Sequence, residues 1–462
     1  MKTNIHQTVL NQLKQLLRVK DTLFTLNRSA GSYKQRILKR EDIKEEITQY
    51  IGENAKQAQR VYVWGCAATG ALGIAKFLRP EKGHRPLMQV KTPSRMKSMN
   101  ENNMKVYDVS CGYGFTVYAV KKGNKHSILG TGINTDSQIG YHEQPRNSGR
   151  ILDYVIGPTQ IYLPLKDPDT TRVSSMSCGR AHTVIVTEGE GVYSLGNNAY
   201  GQCGRSIVPE EVFRKNPRVN VLTDLPDNIV KVECGQDHTM FLTEEGHVYS
   251  CGLGADGQTG LGHYNNIDKP TRLKGDIEGE KIVSISSKGD CVLGISENGE
   301  VFGWGNSEYN QLSMVTEETQ VNIPRHLPIT KYCGKIIKAV AGGSVCAILN
   351  SKNEVYVWGY GILGKGPKLD MCMEPSKLPQ ALFGQNELQP EVKVLDIVCG
   401  LGHFVALTDK GDIFSWGKNK YGCIGLGKET DQFFPLKVSL PAEAVSVYCG
   451  VDHTVALAKS FC

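Results

Sequence analysis

Two short stretches at opposite ends of the chain decide the fold: Val61-Tyr62-Val63-Trp64-Gly65 and Cys449-Gly450-Val451-Asp452-His453-Thr454. The first is a β-rich run ending in glycine. It recurs at 128–132, 192–196, 248–252, 301–305, 355–359 and 413–417, with final glycines 67, 64, 56, 53, 54 and 58 residues apart. The second, Cys-Gly-x-x-His-Thr followed by an apolar run, also begins at Cys178, Cys234 and Cys399, and at Cys111 with Phe115 in place of His. Degenerate copies start at Ser286, with Asp290 read at the His position, and at Ala341, with Val345 there. Each motif occurs seven times, but out of phase. The chain opens with an unmatched Trp-Gly half and ends with an unmatched Cys-Gly half.

The two orphans complete one unit if the chain closes on itself. A unit of this length holds four short strands with their turns, and closing such units into a ring removes exposed sheet edges. The sequence therefore predicts an all-β, seven-bladed β-propeller closed by pairing of the N-terminal strand with the C-terminal blade. The glycine after each Trp or Cys strand is expected to provide positive φ and close backbone approach.

Composition agrees with this class. Glycine supplies 50 of 462 residues, an excess that argues for many tight turns and against a helical bundle. No run of 18 apolar residues occurs, which argues against a transmembrane helix. The net charge of +6 is uneven: residues 1–40 carry nine Lys/Arg and one acid (+8), leaving −2 for the remainder. That split does not fit a body coated by nucleic acid. Of the 14 cysteines, five fall at the repeat position and none form Cys-x-x-Cys pairs, so they read as small buried thiols with no zinc pattern.

Three regions follow. Residues 1–35 are basic, almost acid-free and amphipathic through Val9, Leu10, Leu13, Leu16 and Leu17, a pattern expected of a mitochondrial presequence. Residues 36–57 form a helical lead-in, with Ile37, Ile43, Ile47 and Ile51 at helical spacing, that packs on the rim or binds a partner. Residues 58–462 are the propeller.

The repeats resemble those of the regulator of chromosome condensation family. That family builds seven-bladed propellers from Cys-Gly-x-x-His and Trp-Gly halves with an Asn-x-x-Gly-Gln-Leu-Gly loop, matched here at 197–204 and 254–262. Stretches 254–265, 303–312, 355–367 and 449–461 are similar to a mitochondrial branch of the family. That resemblance implies a non-enzymatic scaffold on the matrix side of the inner membrane. Its implied roles are mitochondrial ribosomal RNA stability and large-subunit mitoribosome assembly, with large-subunit assembly factors as partners. The resemblance implies, as an alternative, a guanine nucleotide exchange factor for a mitochondrial dynamin-like GTPase of inner-membrane fusion. A chromatin role like that of nuclear members is disfavoured by the presequence-like tail.

Among candidate sites, residues 76–97 stand out. Lys76, Arg79, Lys82, Arg85, Lys91, Arg95 and Lys97 face one acid, Glu81. Pro80, Pro86 and Pro93 keep the segment extended. It is expected to project from a blade and to contact RNA phosphates or an acidic partner; the plain alternative is a solvated loop. A second insertion is expected at about 141–171, with Arg146, Arg150, Asp167 and Asp169. The run Gly359-Tyr360-Gly361-Ile362-Leu363-Gly364-Lys365-Gly366 nearly spells a phosphate-binding loop but lacks the Ser/Thr for Mg²⁺ and reads as a variant turn. His182, His238, His403 and His453 are expected to bond backbone within their own blades. No catalytic constellation, metal site or cofactor is expected.

Overall fold

The computed structural model describes residues 59–75, 85–101, 104–143 and 152–459. The presequence-like and lead-in segments, together with Lys76, Arg79, Lys82, Arg146 and Arg150, lie outside the described residues. The described strands form seven four-stranded antiparallel sheets arranged as blades of a β-propeller.

Blade 1 comprises β3 (Lys105–Cys111), β4 (Phe115–Lys122), β5 (Lys125–Ile133) and β6 (Tyr154–Ile161). Blade 2 comprises β7 (Val173–Cys178), β8 (His182–Thr187), β9 (Gly191–Gly196) and β10 (Asn220–Val221). Blade 3 is β11 (Ile229–Cys234), β12 (His238–Thr243), β13 (Val248–Gly252) and β14 (Ile267–Arg272). Blade 4 is β15 (Ile282–Ser286), β16 (Cys291–Ser296), β17 (Val301–Asn306) and β18 (Gln320–Leu327). Blade 5 is β19 (Ile336–Ala341), β20 (Val345–Asn350), β21 (Val355–Tyr360) and β22 (Met371–Lys377). Blade 6 is β23 (Val394–Cys399), β24 (His403–Thr408), β25 (Ile413–Gly417) and β26 (Gln432–Lys437). Blade 7 joins β27 (Glu443–Cys449) and β28 (His453–Lys459) to β1 (Gln59–Cys66) and β2 (Gln89–Arg95).

The ring closes as the repeat phase requires. β1 pairs with β28 from Gln59↔Lys459 to Gly65↔His453, and the Cys66 amide donates to the Asp452 carbonyl at 2.8 Å. The N-terminal side supplies two strands of this blade, because β2 adds outside β1. Successive side chains of a strand point to opposite faces, and both faces of β1 are buried. Val61 and Val63 pack with Val106, Tyr118 and Val455 toward blade 1, whereas Tyr62 and Trp64 pack with Val405, Leu407 and Ile413 toward blade 6. Strands sandwiched between sheets must therefore be apolar on both sides, which is why they read as unbroken apolar runs. Trp64, Trp304, Trp358 and Trp416 all lie in these inter-blade layers, fully buried.

The glycine that ends each third strand behaves as expected. Gly65, Gly132, Gly196, Gly252, Gly305, Gly359 and Gly417 have φ between +92° and +116°. A Cβ on any of them would come within 2.5 Å of a carbonyl oxygen on the paired strand's approach, such as Asp452 O for Gly65 or Asp290 O for Gly305. Any other residue would meet both strain and collision.

Candidate partner face and central channel

The Cys-Gly-x-x-His motif is a clamp between blades. In Cys178-Gly179-Arg180-Ala181-His182 the glycine lies on the histidine ring. A Cβ on Gly179 would sit 2.2 Å from His182 Cε1 and 2.8 Å from the Gly235 carbonyl of the next blade. The same crowding recurs at Gly235, Gly400 and Gly450. Each histidine then reaches across the ring and not back into its own blade, which corrects the own-blade expectation. His182 Nε2 meets Thr239 Oγ1 at 3.0 Å, His238 Nε2 meets Ser287 Oγ at 3.3 Å, and His403 Nε2 meets Thr454 Oγ1 at 3.5 Å. His453 Nε2 meets Thr116 Oγ1 at 2.8 Å across the closing seam. The threonines pass the chain on: Thr239 Oγ1 donates to Gln202 O and Thr183 Oγ1 to Gln138 O, both at 2.7 Å.

The register also corrects the degenerate copy in blade 4. Cys291, and not Asp290, pairs with the strand-ending Gly305, so Cys291 occupies the His position and Ser287 the Cys position. Asp290 is instead equivalent to Asp237 and Asp452, the residues immediately before the histidines of blades 3 and 7. Lys288 stands where the other clear copies have glycine.

Every inner strand carries a register irregularity immediately before the residue three positions ahead of the motif's Cys position. The residues that follow these bulges are Asp108, Ser175, Lys231, Ser284, Lys338, Asp396 and Ser446. Most line a central cavity of about 240 Å³, with Glu233, Tyr448 and Lys288 from the adjoining layer. Lys338 pairs with Asp396 at 2.9 Å, and Lys231 Nζ donates to Ile285 O at 3.2 Å. Asp108 has no such cation within ion-pair distance among the described residues, and burial raises its carboxyl to about 6. At the motif-loop end the axis is bridged. Lys288 Nζ donates to Cys111 O at 3.1 Å, and the Tyr113 hydroxyl donates to Lys288 O at 2.9 Å. Beside this bridge Arg180 grips Asp237 with two prongs, Nη2–Oδ2 at 2.6 Å and Nε–Oδ1 at 3.1 Å. These channel residues escaped the sequence reading; their signal was the fixed offset of three from the repeat cysteine.

The basic segment is split by the fold. Arg85, Arg95 and Lys97 are exposed and have no carboxylate partner among the described residues. Lys91 lies in β2 and pairs with Glu429 at 2.5 Å. Arg95 ends the same strand, so the carboxyl-terminal half of this segment is the outer strand of blade 7 and only the part before it is an insertion. Likewise, within 141–171 the stretch 154–161 is β6, and Asp169 pairs with Lys125 at 2.6 Å. The run from Gly359 continues into a loop whose Gly366 amide donates to Phe433 O at 3.0 Å on blade 6, with no helix after it.

The remaining chemistry is quiet. Among the described residues no cluster of three or more His, Cys, Asp or Glu is arranged to hold a metal. The repeat cysteines are buried thiols, and burial pushes that of Cys178 up to about 12. Burial lowers His182 and His238 to about 3 and His403 to about 4, so these rings are neutral packing elements. No described helix is long and apolar enough to cross a membrane.

A model of the regulator of chromosome condensation (RCC1) repeat matches residues 59–119, 190–242, 245–293, 298–349 and 410–457, and a second model of that repeat matches 173–202, 229–258 and 394–423. The chain belongs to the RCC1 repeat family. It is 49% identical over 418 residues to the RCC1-like G exchanging factor-like protein of Homo sapiens, covering 90% of each chain. Its fold is similar to the crystal structure of human WBSCR16, with a TM-score of 0.81 and 48% identity, covering 88% of this chain and 100% of that one. It also matches the fold of Prp20p from Saccharomyces cerevisiae, with a TM-score of 0.69 and 20% identity, over 88% and 92% of the two chains. The chain is thus an RCC1-type propeller related to an exchange-factor-like protein.

Proposed function

We propose that this propeller is a non-enzymatic scaffold of the mitochondrial matrix, peripheral on the inner membrane, that supports ribosomal RNA stability and assembly of the large mitoribosomal subunit. The observation that carries this reading is that Arg85, Arg95 and Lys97, on and beside the outer strand of blade 7, are exposed and free of carboxylate partners among the described residues, on a body that is otherwise net negative. Guanidinium groups held on or beside a strand offer phosphate contacts whose strength falls with salt and carries little base information. The motif histidines support a scaffold role too, because all four are engaged in packing and three are held neutral. Crosslinking in intact mitochondria tests the reading. Ribosomal RNA and large-subunit assembly factors are expected among the contacts, and Arg85→Glu/Arg95→Glu should weaken RNA retention and flatten its salt dependence. RNA recovery unchanged by the double variant would refute it.

A second reading is exchange activity on a mitochondrial dynamin-like GTPase. It is favoured by the similarity to the human protein named as G exchanging factor-like. Exposed Arg180, anchored on buried Asp237, offers such a partner a polar contact. Nucleotide release from the purified GTPase should accelerate with this chain and lose that acceleration with Arg180→Ala; an unchanged release rate refutes this reading.

A further inference from the structure

One blade departs from the other six in a way that changes the surface. In all seven blades the residue five positions after the strand-ending glycine has positive φ: Gly70, Ser137, Gly201, Gly257, Asn310, Gly422 and, in blade 5, Gly364. In every loop but that of blade 5 a second small residue follows at the eighth position. Gly260 and Gly425 lie at that place against the next blade's tryptophan, where a Cβ would come 2.9 Å from Trp304 Nε1 and 2.7 Å from Trp64 Nε1. In blade 5 the corresponding glycine is Gly364, 2.8 Å from Trp416 Nε1 by the same measure, only five residues after Gly359. Its loop is three residues short.

In blades 3 and 4 the residue six positions after the strand-ending glycine presents its carbonyl to the neighbouring blade. Gln258 O and Gln311 O accept from Trp304 Nε1 and Trp358 Nε1 at 3.1 and 2.8 Å. Across the shortened loop of blade 5 no carbonyl accepts from the next tryptophan, and Trp416 Nε1 is buried without a partner. Phe404 stands where four other blades have threonine and stacks on Trp416 at 5.1 Å, so an apolar contact replaces the polar one. Trp64 Nε1 is also unpartnered, but for another reason: its candidate carbonyl, Cys423 O, is taken by Thr454.

Above the shortened loop the surface is apolar. Tyr360 stacks on Tyr309 of blade 4, with centroids 6.0 Å apart and planes 16° from parallel. Met371, paired with Tyr360 across β21 and β22, accepts at its sulfur from Asn310 Nδ2 at 3.5 Å. Ser313 Oγ donates to Met373 O at 3.1 Å. Tyr309, Tyr360, Met371 and Met373 are all 40–52% exposed, so a flexible aromatic and thioether surface bridges two blades. Such surfaces adapt to protein partners. Around it Glu308, Glu317, Glu318, Asp370 and Glu374 are exposed and form no ion pair among the described residues; Lys365 and Lys368 leave a local charge of −3.

We propose that this surface is a docking site for a cationic amphipathic helix of a protein partner. Its apolar face would cover the tyrosines and methionines and its basic flank would face the carboxylates. Uncompensated carboxylates repel RNA phosphates and anionic lipid, so the site is separate from Arg85, Arg95 and Lys97 by charge as well as by blade.

The test measures fluorescence anisotropy of the full chain with a labelled 18-residue leucine–lysine helix, against a scrambled peptide of equal composition. The helix should bind more tightly than the scrambled peptide. Tyr360→Ser/Met371→Ser should weaken binding roughly tenfold or more. Glu308→Lys/Glu374→Lys should weaken it at low salt and have little effect at high salt. Val208→Ser/Val212→Ser, an exposed apolar pair on blade 2, should leave binding unchanged. Matching melting temperatures for all variants would show that the fold is intact. Equal binding by the Tyr360/Met371 variant, or equal binding of the scrambled peptide, overturns the proposal. So does self-association of the chain abolished by Tyr360→Ser/Met371→Ser, which would assign the surface to a second copy.

Discussion

His238 in blade 3 and His453 in blade 7 occupy the same place in the repeat and have opposite electrostatics. Both are fully buried, both pair with a strand-ending glycine, and both follow an aspartate. Burial lowers His238 to about 3. Burial also acts against charge at His453, but Asp452 and the Cys111 thiol of blade 1 together override it and the ring is raised to about 9, with Nδ1 3.4 Å from Asp452 Oδ1. The difference originates one blade upstream. Asp237 is held by Arg180 of blade 2, so it does not serve the histidine beside it. The position equivalent to Arg180 in blade 6 is Leu401. With no guanidinium to claim it, Asp452 turns to its own histidine, which holds its carboxyl below the usual range despite burial. The side chain at this position on the upstream blade, together with Cys111 on the downstream one, thus sets whether the same clamp is neutral or ionic. The ionic version sits where β28 pairs with β1 to close the ring.

The largest effect should come from breaking that seam. Deleting residues 453–462 removes β28 and strips β1 of the hydrogen-bonded edge that ties it into blade 7, so cooperative thermal unfolding should be lost. Trp304→Ala, a cavity in an ordinary inter-blade layer, should cost about 3–5 kcal/mol in denaturant titrations yet leave the transition cooperative. A deletion that melts like the intact chain would deny the seam any special role.

The next effect separates the two histidines by pH. His453 has a folded value above its unfolded value near 6.5. Its stabilisation is therefore complete below about pH 6.5 and is lost as pH rises through about 9. Asp452→Asn should cost about 1–3 kcal/mol at neutral pH and much less at pH 10. His182, His238 and His403 have folded values below the unfolded one. Their effect has the opposite sign, with stability falling as pH drops from about 6.5 toward 3–4. A smaller change should follow from exchanging the upstream residues. With Leu401→Arg the imidazole of His453 should titrate lower, and with Arg180→Leu that of His238 should titrate higher, both read by NMR of the ring protons. No movement in either would mean that the aspartates are not being competed for.

Much of this architecture is legible along the chain. The phase offset between 61–65 and 449–454 requires ring closure, and each Trp-Gly glycine marks a backbone position that tolerates no Cβ. What a linear reading misses is whatever the ring brings together. The histidines were expected to stay in their own blades because a repeat shows positions along the chain and not which neighbour a side chain meets. Blade 4 was misread by one residue because Lys288 replaces the glycine that anchors the motif. Along the chain the stretch 89–95 reads as part of a projecting loop because its lysine, arginine and proline are loop-like. As an outer strand it needs no second apolar face, and Pro93 falls where the β1–β2 register is irregular, a place an edge strand tolerates. The exposed charge of Arg85 and Arg95 was readable; the engagement of Lys91 by Glu429 was not, because those residues lie 338 positions apart.

The smallest expected effect refines the contrast between the two clamps. Thr116 Oγ1 faces the charged ring of His453, whereas Thr239 Oγ1 faces the neutral ring of His182. A hydrogen bond to a charged group contributes about 1.5–3 kcal/mol, against about 0.5–1.5 for a neutral pair. Thr116→Val should therefore destabilise more than Thr239→Val at neutral pH. The gap should close above pH 9, where His453 loses its proton, since both hydroxyls also donate to a loop carbonyl, Ala71 O and Gln202 O. Equal costs at every pH would mean that the threonines matter only for those carbonyls, and that the charge on His453 is held by Asp452 and Cys111 without the hydroxyl.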